Sequence, residues 1–200
     1  MNRLIRQNIG PTMVVLTALL LWACTPVAPK ALFLDRAAWP GALERIALVT
    51  VSYDRRYRPP PGLDLTGELR RVLKQELAAK GYQLLLVDRG EEIYRGEARA
   101  VDLAALAPQE ADAVLALHID FLFLSATLSE RNPPPEGEIA GEARLIDKQS
   151  GKELWRDRGI GQSGGESAFP VISHIALRQE ALANLARELF ASLPDRVSGQ

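Results

Sequence analysis

Ala113-Val114-Leu115-Ala116-Leu117-His118-Ile119-Asp120-Phe121-Leu122-Phe123-Leu124 decides the architecture. Its odd positions, from Ala113 to Phe123, are all apolar, whereas its even positions include His118 and Asp120. Successive side chains of a strand point to opposite faces, so one face belongs to a core and the other is at least partly polar. The pattern returns further on, where Ile139, Gly141, Ala143 and Leu145 alternate with Ala140, Glu142, Arg144 and Ile146. Asp147-Lys148-Gln149-Ser150-Gly151 then turns the chain into residues 152–157, so these last two strands form an antiparallel hairpin.

Towards the N-terminus, residues 45–51 are a short β-branched run, apolar on both faces, as in a central strand. Asp64 caps a helix with Leu65, Leu69, Val72, Leu73 and Leu77 at helical spacing, Gly81 stops it, and residues 82–88 return as a strand. Such a βαβ unit needs a parallel pair with a right-handed crossover. Residues 89–101 carry no period, and Asp102 caps a short helix over 103–106. Beyond the hairpin, residues 159–169 read as a flexible glycine-rich loop. A last helix follows, with Ile175, Leu182, Leu185, Leu189 and Leu193 as its apolar stripe and Pro194 as its end. The expectation is an α/β, α+β-like two-layer sandwich. It has a mixed sheet of about five strands and two main helices mostly on one face, in a single domain over residues 44–193 with a tail at 194–200.

Residues 1–23 have the layout of a secretory signal: Arg3 and Arg6, an apolar run from Met13, then Leu21-Trp22-Ala23 before Cys24. Gly10-Pro11-Thr12 interrupt the run, which is short for a membrane-spanning helix. Residues 24–43, with Pro26, Pro29 and Pro40, read as a tether that Phe33 and Trp39 shorten if they dock on the body. Cys24 is the only cysteine of 200 residues, so the chain has no internal disulfide.

The chain holds 24 Lys and Arg against 25 Asp and Glu; without Arg3 and Arg6 the balance is 22 to 25, about -3. A nucleic-acid binder needs the opposite excess to neutralise phosphates. Gly161-Gln162-Ser163-Gly164-Gly165 spells a nucleophile elbow, but no aspartate lies between Ser163 and His174 and no histidine follows His174. His118 and Asp120, with Glu142, offer metal donors on one strand face, yet two histidines and no free thiolate cannot make a closed zinc site. With Arg144 they read instead as cross-strand polar pairs on a half-solvated sheet and as a candidate partner surface. The triplets Pro59-Pro60-Pro61 and Pro133-Pro134-Pro135 are stiff loops that can also serve recognition. No phosphate loop or dinucleotide fingerprint is present, so no cofactor and no catalysis are expected.

The leader ending at Cys24 resembles the lipobox of bacterial lipoproteins. That resemblance implies cleavage after Ala23, acylation of Cys24 and a membrane anchor, and Thr25 in place of a retention aspartate implies the outer membrane, facing the periplasm. Arg45-Ile46-Ala47-Leu48-Val49, Lys80-Gly81-Tyr82, Glu110-Ala111-Asp112-Ala113-Val114-Leu115 and the stretch from Leu145 to Trp155 resemble a group of periplasmic α/β lipoproteins. That group includes the curli-secretion lipoprotein CsgG, the penicillin-binding-protein activator LpoB, the amino-terminal domain of TolB and neisserial-type lipoproteins. The resemblance implies fold and address, with no shared catalytic residue, and the chain has no counterpart of the curli protein's pore-forming segments. The expected role is a non-catalytic accessory lipoprotein that binds another envelope protein, self-association being left open. An auxiliary lipoprotein of an ABC-type lipid or solvent transporter is the second reading, and a hydrolase using Ser163 or a metal at His118 and Asp120 is the least favoured.

Overall fold

A computed structural model describes residues 29–59, 62–87, 91–93, 99–125, 136–164 and 174–196. Leu21, Ala23, Cys24, Pro60, Pro61 and Pro133 to Pro135 lie outside these residues.

The strands are β1 (Phe33–Leu34), β2 (Arg45–Tyr53), β3 (Gln83–Leu86), β4 (Glu91–Ile93), β5 (Ala113–Ser125), β6 (Glu136–Asp147) and β7 (Glu153–Gly164). The helices are α1 (Leu65–Ala79), α2 (Ala100–Ala104) and α3 (His174–Phe190). Six strands run in the order β1-β7-β6-β5-β2-β3, and β4 pairs with β2 off this path. The sheet is mixed, as expected: β2 is parallel to β3, β4 and β5, while β5, β6, β7 and β1 are antiparallel in succession. It is wider than the five strands expected because β1 and β4, of two and three residues, are too short to show a period.

Helices α1 and α3 share one face. Leu65, Leu69, Leu73 and Leu77 of α1 and Leu182, Leu185 and Leu189 of α3 bury against Ala113, Leu115, Leu117 and Ile119 of β5. Asp64 caps α1 as its position implied, its carboxylate accepting from the Gly67 N–H at 2.8 Å. Ile175, expected in the apolar stripe of α3, is 56% exposed; Leu177 and Ala181 are the residues that bury there. On the other face α2 packs Leu103 and Ala104 over Ala47, Val49, Val114, Ala116 and Ile146. Asp102 does not cap α2 but lies within it, bonded to Arg99 at 2.9 Å.

Two further differences matter for the surface. Residues 159–164 are not a loop but the second half of β7. Gly159 and Gly161 are needed there because α3 lies directly on the strand: a Cβ at position 161 would stand 1.9 Å from the Ala181 carbonyl oxygen. Within the stretch read as a tether, β1 already belongs to the body. Asp35 N–H donates to the Leu154 carbonyl at 2.9 Å, and Leu34 and Trp39 pack on the main core, whereas the Phe33 ring stays 37% exposed.

The hairpin turn has the expected construction. Asp147 accepts from Ser150 N–H at 2.7 Å, and Gly151 takes φ 66°, a conformation that costs glycine little. Trp155 after it is fully buried beside Phe190, its indole N–H donating to the Ser192 hydroxyl at 3.0 Å, which in turn donates to Asp157.

Candidate functional site: the open half of the outer sheet face

The apolar alternation of β5 does not continue unbroken to Leu124. Ile119 pairs with Gly141 and Phe121 with Ala140, so Asp120 is an extra residue, a β-bulge. From that point the faces exchange. Leu122 packs on the main core, and Phe121 and Phe123, expected inside, stand on the outer face, Phe123 being 44% exposed.

The bulge therefore sets an apolar row beside a charged one. Phe121, Ala140 and Ile160 lie level on β5, β6 and β7, and Ile160 is 52% exposed. Tyr57, held by the 3-10 turn Arg55–Tyr57, stands edge-on to Phe121 with ring centroids 5.0 Å apart. The neighbouring row is His118, Glu142 and Arg158. Arg158 Nη2 reaches Asp120 Oδ2 at 2.6 Å, while the buried Asp120 Oδ1 has no hydrogen-bond partner among the described residues. One row further, Glu153 takes both Arg144 (2.8 Å) and Arg156 (3.2 Å).

Four of the expected surface residues thus share one face. His118, Asp120 and Glu142 cluster; Arg144 is held down by Glu153, with its side chain only 17% exposed. Pro59 is buried, so this proline is not a recognition element. The sequence reading missed Ser52, Tyr57, Glu153, Arg158 and Ile160. A usable signal was present, because Gly159, Gly161 and Ser163 alternate with Arg158, Ile160 and Gln162, small residues on one face and large on the other.

Burial pushes the His118 imidazole below its ordinary pKa, against the opposing pull of Asp120, Asp54 and Glu142. Its Nδ1 lies 2.9 Å from the Ser52 hydroxyl, which is also 3.3 Å from the Leu117 carbonyl. Among the described residues, no group of three His, Cys, Asp or Glu converges on a metal-sized site. Ser163 sits inside β7, 7% exposed, with its hydroxyl 3.5 Å from the Gly137 carbonyl. An elbow serine instead crowns a sharp strand-to-helix turn. Among the described residues, no helix is long and apolar enough to cross a membrane.

No family model and no curated protein matches the chain. Similar solved structures include lipoproteins. A PelC dodecamer variant from Paraburkholderia phytofirmans is 14% identical, covering 83% of this chain and 96% of that one, with a TM-score of 0.49. Lipoprotein GNA1162 from Neisseria meningitidis is 17% identical over 64% of this chain and 87% of its own, with a TM-score of 0.43. Protein XCC0632 from Xanthomonas campestris is 14% identical over 81% and 90%, with a TM-score of 0.45.

Proposed function

We propose that this chain is a non-catalytic accessory lipoprotein of the bacterial envelope, held to the periplasmic side of the outer membrane by acylated Cys24, that binds another envelope protein through the open half of its outer sheet face. The observation that carries the binding role is the apolar row Phe121, Ala140 and Ile160, continued by Phe123 and bordered by paired charges. Two large apolar side chains about half exposed on one rigid sheet, rimmed by ion pairs, have the make-up of an interface core and rim. The leader ending at Cys24 supports the anchor, since two or more acyl chains hold a protein stably where a single one does not. The resemblance of its short motifs to those of the CsgG and LpoB group supports the same address.

The test is cross-linking in intact envelopes followed by purification of the mature chain and its mass measurement. Wild type should carry acyl chains on Cys24 and co-purify with a defined partner. Phe123→Asp with Ile160→Asp should lose the partner while remaining folded and acylated. Partner recovery unchanged by the double substitution removes the sheet face from the proposal, and an unmodified Cys24 removes the anchor.

A further inference from the structure

The stretch that follows Cys24 in sequence joins the sheet at the β1 edge. Lys30, Leu32, Phe33 and Arg36 are all exposed there, Leu32 at 64% and Phe33 at 37%. Leu32, Phe33 and Arg36 are not loosely held, because the segment is pinned on both sides of them: Ala31, Leu34, Ala38 and Trp39 pack on the main core. β1 pairs with β7, Phe33 opposite Arg156, and Asp35 turns the following backbone by accepting from the N–H groups of Ala37 (3.1 Å) and Ala38 (3.0 Å). Two large apolar side chains are thus held in water between two cations whose stems can lie along apolar surface while their charges reach outward.

We propose that this edge is seated on the anionic phospholipid leaflet that holds the anchor, Leu32 and Phe33 entering the headgroup boundary and Lys30 and Arg36 meeting phosphates. The inference rests on the reading of Cys24 as the lipid attachment point. From Cys24 to Leu32 is eight residues (32 minus 24), a span of at most about 29 Å when fully extended. The tether therefore keeps this edge within one short reach of the bilayer, and contact becomes an intramolecular event at high effective concentration. A weak surface affinity then suffices to fix orientation. Apolar side chains flanked by lysine and arginine are the composition that partitions to an anionic interface, and the basic contribution acts only within about a Debye length, roughly 8 to 10 Å. With β1 down, β3 and α1 at the opposite side of the sheet point away from the bilayer, and the open half of the outer face stands roughly upright on the membrane, free for a partner.

The only native thiol is Cys24, which acylation consumes, so a single introduced cysteine carries a label uniquely. The lipidated protein is labelled with a polarity-sensitive fluorophore at Phe33→Cys, or at Gln75→Cys on the exposed side of α1, and reconstituted into phosphatidylethanolamine–phosphatidylglycerol vesicles or phosphatidylcholine vesicles. At position 33 the emission should shift to the blue and be quenched by spin-labelled acyl chains; at position 75 it should remain that of water. The shift should weaken at least twofold in phosphatidylcholine and in a Lys30→Glu, Arg36→Glu background. A label at 33 as wet as that at 75 on acylated protein overturns the proposal and leaves the anchor intact. A blue shift that persists in detergent and rises with protein concentration also overturns it, since a second copy then covers the edge. Loss of both the shift and the acyl mass traces the failure to the anchor itself.

Discussion

At the scale of single residues, position 161 shows how little room the sheet leaves. A methyl group there would meet backbone atoms, the Ala181 carbonyl at 1.9 Å and the Leu185 N–H nitrogen at 2.4 Å, and helix backbone cannot step aside as a flexible side chain can. Gly161→Ala should cost about 3 kcal/mol or more, at the upper end for overpacking. Gly41→Ala, with nothing within 4 Å and no positive φ, should be neutral or stabilise by up to about 1 kcal/mol. Urea midpoints of the two variants make the comparison. His118 gives a pH prediction. Burial lowers its folded-state pKa below the ordinary 6.5, so as pH falls the unfolded chain takes up the proton first. The associated stability is fully present above about pH 6.5 and is lost as pH falls through the lower folded value. Denaturation from pH 7.5 to 5 should therefore show wild type losing stability relative to His118→Gln, and parallel pH profiles would contradict a neutral, half-buried imidazole.

Among elements, the contact between α1 and α3 is fastened by Arg178 and Glu68, bidentate at 2.6 and 2.7 Å, with side chains 11% and 18% exposed. Removing one partner strands the other charge in a nearly dry seam, so Arg178→Met should cost about 2 to 4 kcal/mol, whereas Arg178→Met with Glu68→Leu should recover most of it. A thermal-unfolding double-mutant cycle would reveal this, and additive losses would mean the pair is not coupled. Deleting Asp120 should be milder, since removing the one extra residue keeps Ile119 and Leu122 towards the helices and Phe121 and Phe123 on the outer face; only the Arg158 ion pair and the local kink are lost, and retained cooperative unfolding is the expected result. This same bulge explains where sequence reading stopped. Periodicity located β2, α1, β5, β6 and α3 because each buries a stripe or a face long enough to repeat. Periodicity cannot place one extra residue in a strand apolar on both sides of that residue, so it puts Phe121 and Phe123 in the core. Glycines at 159 and 161 read as a loop because the reason for them lies in α3, beyond any local window. The polar members His118, Asp120 and Glu142 were legible from alternation; Ser52, Tyr57 and Arg158 reach that cluster only through cross-strand register and a 3-10 turn.

For the molecule as a whole, the two proposed contacts divide the surface. The β1 edge takes the bilayer and the outer face takes the partner, so Phe123→Asp should spare vesicle seating and Lys30→Glu should spare partner recovery. Cross-effects between the two assays would mean one surface serves both. The far end of the chain closes the body: Lys80 Nζ donates to the Leu193 carbonyl at 2.8 Å and pairs with Asp195 at 2.9 Å, and the Tyr82 hydroxyl donates to the Pro194 carbonyl at 2.8 Å. Burial there raises the Tyr82 phenol to about 12. The segment that seals the first helix and the second edge of the sheet thus lies 113 residues beyond Lys80. Until α3 is in place, β6 and β7 lack their cover on the main core face, and the pairings of β5 with β2 and of β7 with β1 span long stretches of sequence, which makes them slow to form. For a polypeptide exported by a leader of the kind read in residues 1–23, a core that waits on α3 would keep the strands before it threadable until that helix has followed them.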